Sequence, residues 1–129
     1  MTRQTVELPG VDGPILPLSS AVWAGDLLFV SGQASTTPTG DHVPGTFAEE
    51  FQRTVANVRM VLERAGLTLD HVVQVNAYLA HEASRSEFNT LYREVFASPF
   101  PARTTIACGI AQLQFEMDVI AHGSRGTDE

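Results

Sequence analysis

Arg103 opens the stretch RTTIA, which follows Pro101 and carries the β-branched residues Thr104, Thr105 and Ile106. Proline blocks a helix here and the branched residues favour a strand. An arginine at a strand start has two readings. It pairs with a nearby carboxylate as a surface ion pair, or its planar fork clamps the carboxylate of a substrate. Glu116 and Asp118 lie two apart in EMDVIA, so on a strand they point the same way. They form either a solvated edge or a site in which one carboxylate acts as acid, base or orienter of water. Ser31-Gly32-Gln33 ends an apolar strand. It is a turn, or a place where a glycine bares backbone N–H groups to a ligand. Ser19 and Ser20 have no visible partner for nucleophilic work, and His42, His71, His81 and His122 show no HxxxH spacing. No metal site is expected.

The composition narrows the chemistry further. The 129 residues suit one domain, and 43% hydrophobic with 18% charged residues is an ordinary globular balance. No apolar run approaches the ~20 residues of a membrane span, and no basic-then-apolar leader is seen. A cytoplasmic protein with no membrane partner is expected. A net charge of −7 argues against nucleic acid as the main partner. The single cysteine, Cys108, excludes an intrachain disulfide and a cysteine zinc cage. The sequence contains no lysine, so a Walker lysine, a pyridoxal-phosphate Schiff base and lysine-based aldol chemistry are excluded.

These residues must be positioned by a small set of elements. Residues 3–8 form a short strand, and SAVWAGDLLFVSG forms two strands turning at Ala24-Gly25-Asp26. A long helix follows: Thr46 and Glu49 make a capping box, Phe47, Phe51, Val55, Val58 and Leu62 recur at helical spacing, and Gly66 ends it. HVVQVNAYLA is a strand. SRSEFNTLYREVFAS is a second helix, with Ser84 and Glu87 repeating the capping pattern. Strands at about 103–109 and 114–121 close the domain, and 123–129 reads as a loose polar tail. The order β-ββ-α-β-α-ββ gives an α+β domain with two helices on one face of the sheet. In the strand at 72–79, Val73, Val75, Ala77 and Leu79 share one face, and Val72, Gln74, Asn76 and Tyr78 the other. The second face is semi-apolar and uncovered by helices, which points to subunit contacts.

The motifs AVWAGDLLFVSGQ (21–33), AEEFQRTVANVRMVLERAGLTLDHVVQVNAYL (48–79), FNTLYREVF (88–96), PFPARTTI (99–106) and EMDVIA (116–121) stand in an order and spacing that resembles the Rid family of reactive intermediate deaminases, also called YjgF-like. The resemblance spans about residues 16–121 of a single domain over 1–129. It implies a chorismate-mutase-like α+β fold. It also implies a homotrimer whose sheets form a central barrel, with active sites in the clefts between subunits. Such proteins hydrolyse enamines and imines, such as 2-aminoacrylate, to the 2-keto acid and ammonia without metal or organic cofactor.

Carried over by motif, Arg103 corresponds to the arginine that binds the substrate carboxylate and Glu116 to the glutamate at the catalytic water. Ser31 and Gly32 line the site, and Asn89 is the asparagine of the second helix. Thr105 stands where many members have cysteine, so a backbone contact is kept and the thiol lost. Leu18 stands where the family has a tyrosine, and the loop CGIAQLQ is shorter than usual and lacks the common Leu-Pro. Both departures suit a larger or pathway-specific imine, such as an aminomuconate. The chemistry agrees with the residues taken alone. An N-protonated imine needs a held carboxylate, a positioned water and a proton relay. A bidentate arginine, a carboxylate and backbone N–H groups near Gly32 or Thr105 supply these. The alternative is a non-catalytic trimeric binder of small carboxylic acids. A ribonuclease-like activity is disfavoured by the acidic charge and the missing lysines.

Overall fold

The computed structural model describes residues 2–8 and 16–125. The last four residues of the polar tail read at 123–129 lie outside them. The elements are β1 (Gln4–Val6), β2 (Ala21–Ala24), β3 (Leu27–Ala34), α1 (Phe47–Arg64), β4 (Val72–Leu79), α2 (Arg85–Val95), β5 (Ala102–Ala107) and β6 (Phe115–His122), with short 3-10 turns at Leu69–His71 and Glu82–Ser84. The strands form one mixed sheet in the order β1-β2-β3-β6-β4-β5. Among the described strands only β4 and β5 pair in parallel, and α2 is the crossover between them.

Alternation decides which side of the sheet is buried. In β6, Phe115, Met117, Val119 and Ala121 are buried, while Glu116, Asp118 and Ile120 are only partly so. Leu28 and Val30 of β3 and Val75, Ala77 and Leu79 of β4 join the buried set. Against them pack Phe51, Val55, Val58 and Leu62 of α1 and Phe88 and Tyr92 of α2. The result is the α+β arrangement expected, with both helices on one face.

α1 begins and ends as its sequence predicts. Thr46 and Glu49 cap each other's backbone, at 3.1 and 2.8 Å. At the far end Gly66 takes φ +81°, and the N–H groups of Gly66 and Leu67 return to the carbonyls of Glu63 and Leu62. This is a Schellman closure sealed by the two buried leucines, Leu62 and Leu67.

Three expectations are corrected. Ser31-Gly32-Gln33 neither ends its strand nor forms a turn: β3 runs through it to Ala34, with a register shift against β6 between Val30 and Gln33. Ser84 does not cap α2 with its side chain. Its backbone is already helical, at φ −81° and ψ −7°, because the 3-10 turn at 82–84 runs straight into the helix. In β4 a register shift between Val72 and Gln74 reverses the alternation at the strand's start. Val72 is therefore buried (6% exposed) and Val73 exposed (45%), the opposite of a regular strand.

Glu50, one residue inside the capping turn, is buried at 1% exposure. Its carboxylate accepts from the Gln114 N–H at 3.1 Å, from Gln114 Nε2 at 2.9 Å and faces His42 Nε2 at 3.3 Å. Burial pushes its pKa up, but the hydrogen bonds from Gln114 and His42 outweigh burial and hold it below the ordinary carboxylate value. Glu50 thus pins the 42–45 loop and the start of β6 to α1. Glu50→Ala leaves those donors unpaired and is expected to cost about 1–3 kcal/mol in urea unfolding at pH 7. A lowered folded pKa stabilises fully above the unfolded value of ~4.3, and the effect fades as pH falls through the folded value. The gap between wild type and variant therefore narrows in acid; a gap that is absent, or constant with pH, would assign Glu50 no ionised role.

Candidate active site

Arg103 lies on β5, the outer strand of the sheet, beside Val75 of β4 in the ladder. Val75 faces the core, so Arg103 projects on the helix side of the sheet. Its guanidinium carbon sits 4.8 Å from the centroids of both Phe88 and Tyr92, and its Nη2 donates to Asn89 Oδ1 at 2.8 Å. All three partners come from α2, at spacings of one and four residues from Phe88. Both rings lie to one side of the cation, their centroids only 5.5 Å apart, and Asn89 holds one edge. Among the described residues no carboxylate pairs with it. The surface ion-pair reading therefore lacks its partner, and the remaining fork is free to meet an anion.

Arg103 shares a cleft of about 310 Å³ with Asn89, Tyr92, Arg93, Phe100 and Pro101. Burial draws the guanidinium below the ordinary arginine value; Tyr92 opposes this, and the charges of Arg85 and Arg93 add to it. Arginine remains a cation at neutral pH even so. The Tyr92 hydroxyl is buried without a partner among the described residues, and burial raises its pKa against the pull of Arg103. Thr105, two residues along β5, also buries an unpartnered hydroxyl. The structure brings Arg103 and Asn89 into contact and sets Thr105 on the same side of the same strand.

Glu116 belongs to a different neighbourhood. It stands opposite Tyr78 in the ladder, on the face without helices. Asp118 stands beside it and accepts from Asn76 Nδ2 and the Tyr78 hydroxyl, each at 2.9 Å. Burial, and then the Asp118 charge, push the Glu116 pKa up. Gly32 is the neighbour that makes room: a Cβ there would collide with Glu116 Oε2. Ser31 is occupied, donating to the Ser19 carbonyl at 2.6 Å while its N–H reaches the Ser20 carbonyl at 2.9 Å. It thereby ties down the 16–20 segment, which presents Leu18 at 54% exposure.

The candidate residues thus fall into two groups, each a candidate half-site. Arg103, Asn89 and Thr105 lie on the helix side at β5; Glu116 and Gly32 lie together across the sheet. The strand β4 separates β5 from β6, a distance of ~10 Å at ordinary strand spacing. No hydrogen bond or ion pair joins Arg103 to Glu116 among the described residues. Sequence reasoning did not single out Tyr92 or Arg93, and it placed Asn76 and Tyr78 only on the helix-free face. For Tyr92 and Arg93 the signal was present, since they follow Phe88 and Asn89 by four residues and share their helix face.

The family profile described as Endoribonuclease L-PSP matches residues 12–123. A protein of Schizosaccharomyces pombe named mmf2, mitochondrial, is 41% identical over 93 residues, which are 72% of this chain and 73% of the relative. The 2-iminobutanoate/2-iminopropanoate deaminase of Dermatophagoides farinae is 33% identical over 112 residues, 86% of each chain. A crystal structure from Yersinia pestis, described as a protein of unknown function of the conserved Rid protein family, superposes with a TM-score of 0.85. It is 28% identical and covers 95% of this chain and all of its own.

The Glu116 environment makes a prediction independent of any activity. An NMR titration is expected to find its pKa above the ordinary ~4.3, and Asp118→Asn to lower it. A raised folded pKa means the folded state holds that proton more tightly than the unfolded chain. Stability then falls as pH rises from the unfolded value through the folded one. Glu116→Gln should therefore raise Tm at pH 7, and a lowered Tm would show that the carboxylate is a structural acceptor instead.

Proposed function

The chain belongs to the Rid family, the YjgF-like group whose profile is described as Endoribonuclease L-PSP, and from that membership we propose that it hydrolyses imines and enamines carrying a carboxylate. The products are a 2-keto acid and ammonia. The observation that carries this reading is Arg103, a cation stacked on two rings, aimed into a cleft and lacking a carboxylate partner among the described residues.

The reaction suits the two half-sites. The Arg103 fork pairs with the substrate carboxylate, and Asn89 keeps that fork in one plane. Water adds its oxygen to the C=N carbon. Glu116 accepts a proton from that water and passes a proton to nitrogen. The resulting carbinolamine breaks its C–N bond and releases ammonia, leaving the keto group. A carboxylate with a raised pKa is the better relay, because it lies closer to the working pH. A cytoplasmic setting is taken for this chain, although the S. pombe relative is mitochondrial by name.

One copy holds the two half-sites on opposite faces, so the complete site is taken to form between copies. The helix-free face supports this. It exposes Phe29 at 42% and Ile106 at 47%, around the Asn76–Asp118–Tyr78 network. Such apolar area calls for cover. We take the assembly to be a homotrimer in which the β5 edge of one copy meets the Glu116 face of another.

Light scattering is expected to give three times the 14.0 kDa chain mass at micromolar concentration, and a stable monomer would remove the shared site. Activity is to be read by generating imines with an amino-acid oxidase and following keto acid and ammonia. Arg103→Ala should lower kcat/KM roughly ten- to more than a hundredfold, since a charge-assisted pair is worth ~1.5–3 kcal/mol. Arg103→Lys should recover only part, having the charge without the fork. Glu116→Gln should lower kcat more than it changes substrate binding. Binding of small carboxylic acids with no turnover would instead make this a non-catalytic binder. If Arg103→Ala dissociates the assembly but leaves turnover per folded assembly intact, the arginine is structural and the deaminase reading fails.

A further inference from the structure

The helix α2 brings a second cation to the Arg103 cleft. Arg85, Asn89 and Arg93 stand four residues apart and form one stripe along the helix. Asn89 and Arg93 line the cleft together with Arg103. Arg85 is spoken for, gripping Glu82 through Nε at 2.6 Å and Nη2 at 3.0 Å. Arg93 makes no side-chain hydrogen bond or ion pair among the described residues. No carboxylate lines the cleft; its other walls are Tyr92, Phe100 and Pro101.

Two of the eight cationic side chains of a chain with net charge −7 therefore line one cleft, with Arg85 further along the same helix stripe. Like charges on neighbouring side chains repel, and solvent weakens that repulsion here because Arg93 and Arg103 are both exposed. The Arg103 guanidinium registers this, being drawn down by burial and further by Arg85 and Arg93. A single carboxylate on Arg103 would answer one of the two unpaired charges in the cleft and leave Arg93 unanswered. A second acidic group on the same ligand would answer both, with the apolar stem between them lying against Phe100 and Pro101.

We propose that the cleft selects a ligand with two acidic groups, Arg103 holding the carboxylate next to the imine carbon and Arg93 the distal one. The preferred substrates are then imines of amino diacids rather than of alanine or branched amino acids. That such a ligand is a substrate rests on the deaminase reading above; its selection by two arginines does not.

The first measurement is binding. Calorimetry with 2-oxoglutarate, 2-oxobutanoate and pyruvate is expected to give at least roughly tenfold tighter binding of the diacid, as one added charge-assisted pair would. That preference should shrink with added salt and should collapse in Arg93→Ala. Equal affinities overturn the proposal, and so does failure of all three acids to bind. It is also overturned if Arg93→Ala weakens all three equally or lowers the mass seen by light scattering, since Arg93 then serves the fold or a subunit contact. The second measurement is hydrolysis of imines made from aspartate and from alanine by their oxidases. Diacid preference in binding with no imine hydrolysed would keep this inference and end the deaminase reading. Hydrolysis of the alanine imine with no diacid preference would do the reverse.

Discussion

Two helices cover only one face of a six-stranded sheet, and this one-sided cover governs the rest of the molecule. Strict alternation in β6 sends Phe115, Met117, Val119 and Ala121 into the core and Glu116, Asp118 and Ile120 to the other side. Burying a large apolar side chain yields ~1.5–3 kcal/mol, so the helix side carries the stability. The other side is left with polar groups that must find partners. Asp118 finds two, Asn76 and Tyr78, and this network gives Glu116 its negatively charged neighbour. The electrostatics of Glu116 thus follow from which residues the core did not take.

The same core reaches out to hold Arg103. Phe51 and Phe115 pack on Phe88 with ring centroids at 6.1 and 5.3 Å, and Phe88 packs on Tyr92 at 5.5 Å. The guanidinium rests on the last two rings of this chain. A cation over a ring gains ~0.5–2 kcal/mol depending on desolvation, which is enough to fix a rotamer but not to satisfy the charge. The arginine is therefore oriented by the core and left electrostatically incomplete. An ammonium in its place would keep the attraction to the rings but lose the fork that remains open to a second partner.

What could be read in the sequence was local or periodic. The α1 capping box, its Gly66 stop and the alternation in β6 each need only a few neighbouring residues, and each is found as read. The reversal of Val72 and Val73 escaped because a bulge arises from pairing with β6, which β4's own sequence does not report. Ser84 escaped because a 3-10 turn before it had already made its backbone helical. Glu50 looked like one more acid in a helix's first turn. Its partner Gln114 lies 64 residues away, so its burial could not be seen from spacing. At the candidate site, Arg103 and Glu116 stood out by type and position, but the aromatic seat of the one and the glycine clearance of the other are contacts between distant elements.

The two groups of candidate residues make different demands on neighbouring positions. On the Glu116 side, Gly32 is fixed by space, because a Cβ would meet the carboxylate. Leu18 is not fixed in that way: it is exposed on a segment held through the Ser19 and Ser20 carbonyls, which do not depend on the side chain at 18. On the Arg103 side, Thr105 sits beside Ala77 with its hydroxyl unpartnered, so the ladder tolerates another side chain of similar size there. Positions that the backbone holds independently of their side chains are those free to change with the ligand. On the function proposed here, Leu18 and Thr105 are where this chain would adjust its substrate, whereas Gly32, Glu116 and Arg103 are bound to the chemistry.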